Sequence, residues 1–153
     1  MLSIAVGCDT NAEGMKNALV AFIKELGFAN ITDYGSASLY PELAFKLSTS
    51  VSEGKYDRGI LLCGTGIGMC ISANKVPGVY AAVLENPYSA ERAQLSNMAN
   101  IACFGAQTTG LETAKKLLKI WLDVTYTPNE RSEPKLKLIR DYENVCPGET
   151  KAT

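Results

Sequence analysis

The order in which short apolar runs and amphipathic stretches alternate along this chain leaves few folds open to it. "LSIAVGCD" (2–9), "NITDYG" (30–35), "DRGILLC" (57–63), "VYAAVL" (79–84) and "NIACFG" (100–105) are short and bounded by glycine or polar residues, as strands are. Helical patterns lie between them. "EGMKNALVAFIKEL" (13–26) puts Met15, Leu19, Phe22, Ile23 and Leu26 on one face, with Gly27 as its stop. "YPELAFKLSTSVSEG" (40–54) has Pro41 in its first turn and Gly54 at its end. Residues 66–75, "NPYSAERAQLSNM" (86–98) and "GLETAKKLLKIWLDVTY" (110–126) continue the series. A strand followed each time by a helix predicts a parallel sheet covered on both faces. The expected fold class is therefore α/β, a three-layer α/β/α sandwich on a five-stranded, Rossmann-like parallel sheet. Ligands of such sheets bind at the carboxyl ends of the strands. That rule gathers Cys8 and Asp9, the segment from Cys63 to Gly68, and the loop near Asn86 and Pro87.

The length of 153 residues fits one domain, expected over 1–145, with 146–153 ("CPGETKAT") as a flexible tail. The polar segment "NERSEPKLKLIRDYENV" is interrupted by Pro134 and is expected to end in a helix, about 131–145, that packs on a partner subunit. A net charge of -1 gives no electrostatic case for nucleic acid or an anionic membrane. No apolar run reaches the roughly 18 residues of a membrane span, and the start lacks a signal-peptide pattern. The cytoplasm is the expected location. Five cysteines (Cys8, Cys63, Cys70, Cys103 and Cys146) occur without a CxxC, and there is no histidine. No metal site and no cofactor are expected.

The chemistry concentrates in "GILLCGTGIGMCISANKVPG" (59–78). Gly64, Gly66 and Gly68 alternate between a strand and a helix. Successive backbone N–H groups there, with the helix N-terminus, form either an anion cradle or a simple tight turn. The pattern is neither a Walker loop nor a dinucleotide fingerprint. Cys63 ends the strand, where backbone donors stabilise a thiolate; it is either a base or nucleophile, or a small buried residue. Cys70 lies inside the helix and reads as structural. Asp9 either faces the ligand crevice or caps a turn. Tyr40 before Pro41 reads as packing, Lys75 as a C-terminal helix cation, and Arg131 and Lys135 as a solvated face.

Taken together, "AVGCD", "YP" at 40–41, "GILLCGTGIGMCISANKVPGV" (59–79), "NPYSAERAQLSNMANIACFG" (86–105) and "GLETAKKLLKIWL" (110–122) resemble ribose-5-phosphate isomerase B and the related galactose-6-phosphate isomerase subunits. The resemblance covers residues 2 to 126 in order. It implies a metal-free aldose–ketose isomerase of sugar phosphates, a dimer or tetramer, working through a cis-enediolate. By the resemblance Cys63 moves the proton between C1 and C2. Thr65 handles protons on the sugar oxygens, and Asp9 binds the reacting end. Gly64, Gly66, Ile67 and Gly68 hold the enediolate, with Tyr40 and Asn97 as further pocket positions. Where some relatives carry a glutamate base, this chain has Met69.

Departures from the pattern bear on the substrate. The histidine linked to ring opening is Ser96, before Asn97. A phosphate-binding histidine is Thr10, and an arginine linked to phosphate is Gln107. A C-terminal basic motif survives only as the four-residue spacing of Arg131 and Lys135, which with Thr10 are the candidate phosphate ligands. The expected activity is conversion of ribose 5-phosphate to ribulose 5-phosphate with a cysteine base. Two alternatives keep the chemistry: isomerisation of a tetrulose 4-phosphate that cannot close a ring, or service as the cysteine-bearing subunit of a heteromer with a homologous partner. A third, from another class, is a non-catalytic sugar-phosphate sensor.

Overall fold

The structure, a computed structural model, describes residues 1–145; Cys146 and the expected tail lie outside the described residues. Five strands alternate with helices: β1 (Ile4–Asp9), α1 (Glu13–Glu25), β2 (Ile31–Ala37), α2 (Tyr40–Ser52), β3 (Arg58–Cys63), α3 (Ile67–Ala73), β4 (Ala81–Val83), α4 (Pro87–Leu95), β5 (Ile101–Gly105), α5 (Leu111–Asp123) and α6 (Glu133–Glu143). A single 3-10 turn, Thr10–Ala12, joins β1 to α1. The strands form one sheet in the order β2-β1-β3-β5-β4, and every pairing is parallel. The expected fold class holds.

Strand alternation divides the core into two layers. Ile4, Val6, Ile60, Leu62, Ala102 and Phe104 point to the face covered by α1, α4 and α5, where Leu19, Leu118 and Trp121 are buried. Ala5, Leu61, Cys63, Ile101 and Cys103 point to the other, covered by α2 and α3 through Leu43, Leu47 and Met69. On that second face β1 and β3 carry Gly7 and Gly59. A Cβ on Gly59 would stand 2.9 Å from a Leu47 methyl, so the small residues let α2 close on the sheet.

Three of these elements end away from their sequence-based limits because of the backbone turns and contacts they make. The fourth helix stops at Leu95 instead of Met98 because Met98 turns left-handed (φ 54) and Ala99 donates back to the Ala93 carbonyl at 2.7 Å. The fifth stops at Asp123 instead of Tyr126. There the buried Arg58 guanidinium takes the Trp121 and Val124 carbonyls at 3.1 and 2.9 Å and lies over the Trp121 ring. The chain then extends at Val124. The second strand runs on to Ala37 through a bulge between the Val6 and Cys8 pairings, where Gly35 has φ 77.

Candidate active site

The chain leaves β1 toward one edge of the sheet and leaves β3 toward the other. The gap between the carboxyl ends of β1 and β3 is therefore the topological switch point, where a crevice opens in such sheets. Asp9 stands one residue beyond the Cys8–Leu62 pair, beside Cys63 and on the same face of the sheet. Thr10 follows on the exposed turn. Asp9 Oδ1 accepts the Asn11 N–H at 2.9 Å and the Thr10 hydroxyl at 3.4 Å. The capping role and the crevice role that the sequence left open are thus both available to one carboxylate.

Cys63 closes β3 with 5% of its surface exposed. Its sulfur accepts the Gly66 N–H at 3.1 Å. The donor is aimed by a left-handed Gly66 (φ 78), a conformation that costs a residue with a side chain far more than glycine. There is also no room for one: a Cβ on Gly66 would meet the Phe104 carbonyl carbon at 3.0 Å. Thr65 Oγ1 accepts the Ile67 N–H at 3.2 Å. Two of the expected cradle donors, Gly66 and Ile67, thus face Cys63 and Thr65 within the chain. The N–H groups of Gly68 and Met69 follow in the first turn of α3, where no preceding helical carbonyl is available to them.

Tyr40, read as packing from the sequence and as a pocket position from the resemblance, begins α2 and presses its ring against Gly68, where a Cβ would stand 2.6 Å from Cζ. The phenol therefore sits at the N-terminus of α3, which explains why a glycine is needed there. Gly64 lies beneath the exposed Gln107 carboxamide, with a built Cβ 3.4 Å from Oε1, and the Gln107 N–H binds the Gly64 carbonyl at 2.9 Å. Gly105 supports the turn from below, since a Cβ there would meet the Thr65 carbonyl carbon at 2.6 Å. The glycine that ends β5 was the available sequence signal for this support, but only the packing gives it a role. Cys8, also at this edge, points into the opposite layer, and burial pushes its thiol up to about 11.

Asn97, Arg131 and Lys135 are not brought to this cluster within one chain. Asn97 follows α4, near the amino end of β5, and lines a cleft of about 420 Å³ along β4 with Asn74, Ser89, Arg92 and Ile139. Asn100, close by, accepts the Gly59 N–H at the start of β3. The four steps from Gly59 to Cys63 span about 13 Å of strand. Arg131 and Lys135 belong to the segment that leaves α5 beside Arg58, also at the amino end, and continues into α6. α6 is fixed there by the buried Leu136, by Arg140 against the Met98 sulfur at 3.8 Å, and by the Tyr80 hydroxyl donating to Glu143 at 3.0 Å. Among the described residues, no group of three or more histidine, cysteine, aspartate or glutamate side chains converges as metal ligands would, and no helix is long and apolar enough to cross a membrane.

A thiol held by a backbone donor, a hydroxyl and a carboxylate, with free N–H groups opposite, can move a proton while an oxyanion is held. Comparison with known proteins gives the family. A family model described as Ribose/Galactose Isomerase matches residues 4–139. D-erythrulose-4-phosphate isomerase of Pectobacterium atrosepticum is 44% identical over 94% of this chain and 97% of its own length. Ribose-5-P isomerase B of Listeria innocua is 42% identical over 93% and 97%. The structure of type B ribose 5-phosphate isomerase from Trypanosoma cruzi superposes with a TM-score of 0.87 at 33% identity, covering 92% of this chain and 97% of that one. The chain belongs to the ribose/galactose isomerase family and is a sugar-phosphate isomerase.

Proposed function

We propose, from the premise of this family membership, that the chain interconverts a tetrulose 4-phosphate, D-erythrulose 4-phosphate, with its aldose through a cis-enediolate, using Cys63 as the base. One observation carries the choice of substrate: the chain has no histidine anywhere. Ribose 5-phosphate is held as a furanose closed through O4, so an enzyme acting on it has to protonate the ring oxygen before isomerisation. A tetrose 4-phosphate carries its phosphate on O4 and cannot close that ring. It arrives with a free carbonyl, and an active site for it needs no imidazole. The name of the Pectobacterium relative supports the same substrate. Ribose 5-phosphate is the second reading, favoured by the name of the Listeria relative.

In the proposed reaction the Cys63 thiolate removes the proton from C1 of the ketose and returns it to C2. The Gly66 N–H donates to that sulfur at 3.1 Å and fixes where it sits. Thr65 passes protons between the C1 and C2 oxygens, and Asp9 binds their hydroxyl forms. The N–H groups at the start of α3, with Gly64 and Gly68, hold the developing enediolate charge, and Tyr40 walls the pocket over Gly68. Thr10 binds phosphate from the same chain. Asn97, Arg131 and Lys135 enter from a second subunit, since within one chain they lie at the opposite end of the sheet. The assembly is then a dimer or a higher oligomer of this chain.

Assay of the purified protein on D-erythrulose 4-phosphate, ribose 5-phosphate and galactose 6-phosphate tests the proposal. It predicts the highest kcat/KM on the tetrulose. Highest kcat/KM on ribose 5-phosphate rejects it in favour of the second reading. Silence on all three that is relieved by a homologous partner chain points to a heteromer, and binding without turnover points to a sensor.

A further inference from the structure

The side chains gathered at the Cys63 turn do not by themselves balance the charge of a sugar phosphate. A phosphate monoester carries close to two negative charges at neutral pH, and Asp9, Thr10, Tyr40, Thr65 and Gln107 supply no positive one. A cation lies instead in the cleft that Asn97 lines. Among the described residues lining that cleft of about 420 Å³, Arg92 alone is charged; Arg131 and Lys135 do not line it. The Arg92 guanidinium is held from one side. Its Nη2 donates to the Glu91 carboxylate at 2.6 Å, and the group lies over the Tyr88 ring at 5.9 Å. Nε is buried, and no acceptor within the chain takes its proton, an arrangement that native folds rarely leave. Ser89, in the same cleft, accepts the Asn86 amide at 2.9 Å and keeps its own hydroxyl proton to donate.

We propose that Arg92 is a phosphate ligand of the isomerase site in a second copy of the chain, entering it together with Asn97. The proposal rests on the reading of the Cys63 turn as the catalytic half of that site. α3 runs from the turn to the cleft: Ile67 begins it, and Asn74, at its C-terminal end, lines the cleft. Ile67 and Ile71, four residues apart and so on one side of α3, are both exposed. A two-fold axis crossing this stripe at right angles runs the two α3 helices antiparallel. Each Asn74 end then lies against the other chain's Ile67 end, and the cleft of each copy faces the turn of the other. The free edge of β4 does not recruit a strand there, because Asn74 occupies the Ala81 carbonyl and N–H at 2.9 and 2.8 Å. The copies meet through side chains.

Arg92 contributes charge and direction. A guanidinium presents its N–H groups as a rigid fork that matches two oxygens of a phosphate. In the proposed arrangement Nε–H and a terminal N–H take two phosphate oxygens, the Ser89 hydroxyl takes a third, and Glu91 and Tyr88 keep the group in place. The carbonyl end of the sugar is left to Asp9, Thr65 and the N–H groups of the turn. Gln107, neutral at the turn itself, leaves the countercharge to come from the other chain.

Replacing Arg92 with methionine keeps an apolar stem and removes the charge. The substrate for the test is whichever of D-erythrulose 4-phosphate and ribose 5-phosphate wild-type protein turns over faster, so failure of the tetrulose reading leaves the test standing. Arg92→Met is expected to raise KM about thirtyfold with kcat within about threefold of wild type, and to weaken inorganic phosphate binding in calorimetry about thirtyfold. Arg92→Gln, which keeps the cleft polar, is expected to match it. Unchanged phosphate affinity in either variant overturns the proposal, as does a fall in kcat at unchanged KM. The second copy is tested by refolding Cys63→Ala and Arg92→Met proteins together in equal amounts. At substrate well below KM the mixture is expected to recover about a quarter of wild-type turnover, because half of the random dimers hold one intact site of two. No recovery places Arg92 in the site of its own chain and overturns the proposal. High turnover by Cys63→Ala protein alone would refute the catalytic reading instead, and the phosphate affinities would still decide the role of Arg92.

Discussion

A single backbone donor motivates the base role proposed for Cys63. A cysteine ending a buried strand needs no partner, but here Gly66 adopts a left-handed conformation and directs its N–H to the sulfur at 3.1 Å. Cys8 makes the contrast: a strand away, it faces the opposite layer, and burial raises its thiol to about 11. Replacing Cys63 with alanine is expected to lower kcat by about 10³-fold. Stability is expected to move by no more than about 1 kcal/mol, because a small buried side chain is exchanged for a slightly smaller one. Circular-dichroism melting beside the isomerase assay checks both. Near-normal turnover would remove the base from the mechanism. This residue was legible in the sequence because the glycines after it mark a turn at a strand end. Gln107 was legible only as a departure from a pattern; its place over Gly64 depends on the Gly105–Thr109 turn, which no local signal aims.

Among the elements, helix limits were the least legible feature, because distant partners set them. α5 keeps helical periodicity through Tyr126, yet Arg58, more than sixty residues earlier, takes its last carbonyls and turns the chain outward. Arg58→Ala is expected to cost about 3 kcal/mol, since two carbonyls lose a charged donor and the Trp121 ring its cover. A lower midpoint in urea denaturation checks it, and Arg58→Met, which keeps the cover, is expected to lose less. The neighbouring Asp57 joins the start of β3 to that of β1, accepting the Ser3 N–H at 2.7 Å and the Ser3 hydroxyl at 2.9 Å. Those bonds, the N–H first, hold its carboxyl below the ordinary aspartate value of 3.8. Its contribution is therefore complete above that value and is lost as pH falls through the lower folded value. Urea midpoints measured from about pH 5 downward are expected to fall less steeply in Asp57→Asn protein than in wild type. Equal slopes would show that the carboxylate carries no such linkage.

At the scale of the whole molecule, alternation of strands and helices was enough to read the parallel sheet and to select its carboxyl edge. It could not say which residues share a site, because pattern gives no distances across the molecule. Asp9, Tyr40, Cys63 and Thr65 come together in one chain; Asn97, Arg131 and Lys135 lie at the opposite end of the sheet. If a second subunit supplies the latter, Cys63→Ala and Asn97→Ala proteins are each inactive alone. Refolded together in equal amounts, they recover about a quarter of wild-type activity, because half of the random dimers hold one intact site of two. No recovery would place each site within one chain. Substrate choice belongs to the same scale, since it rests on the absence of histidine from the entire chain. The most direct test is a competition in which wild-type protein meets equal concentrations of D-erythrulose 4-phosphate and ribose 5-phosphate and both are followed in one progress curve. The account predicts that the tetrulose is consumed first; preferential consumption of ribose 5-phosphate would contradict it.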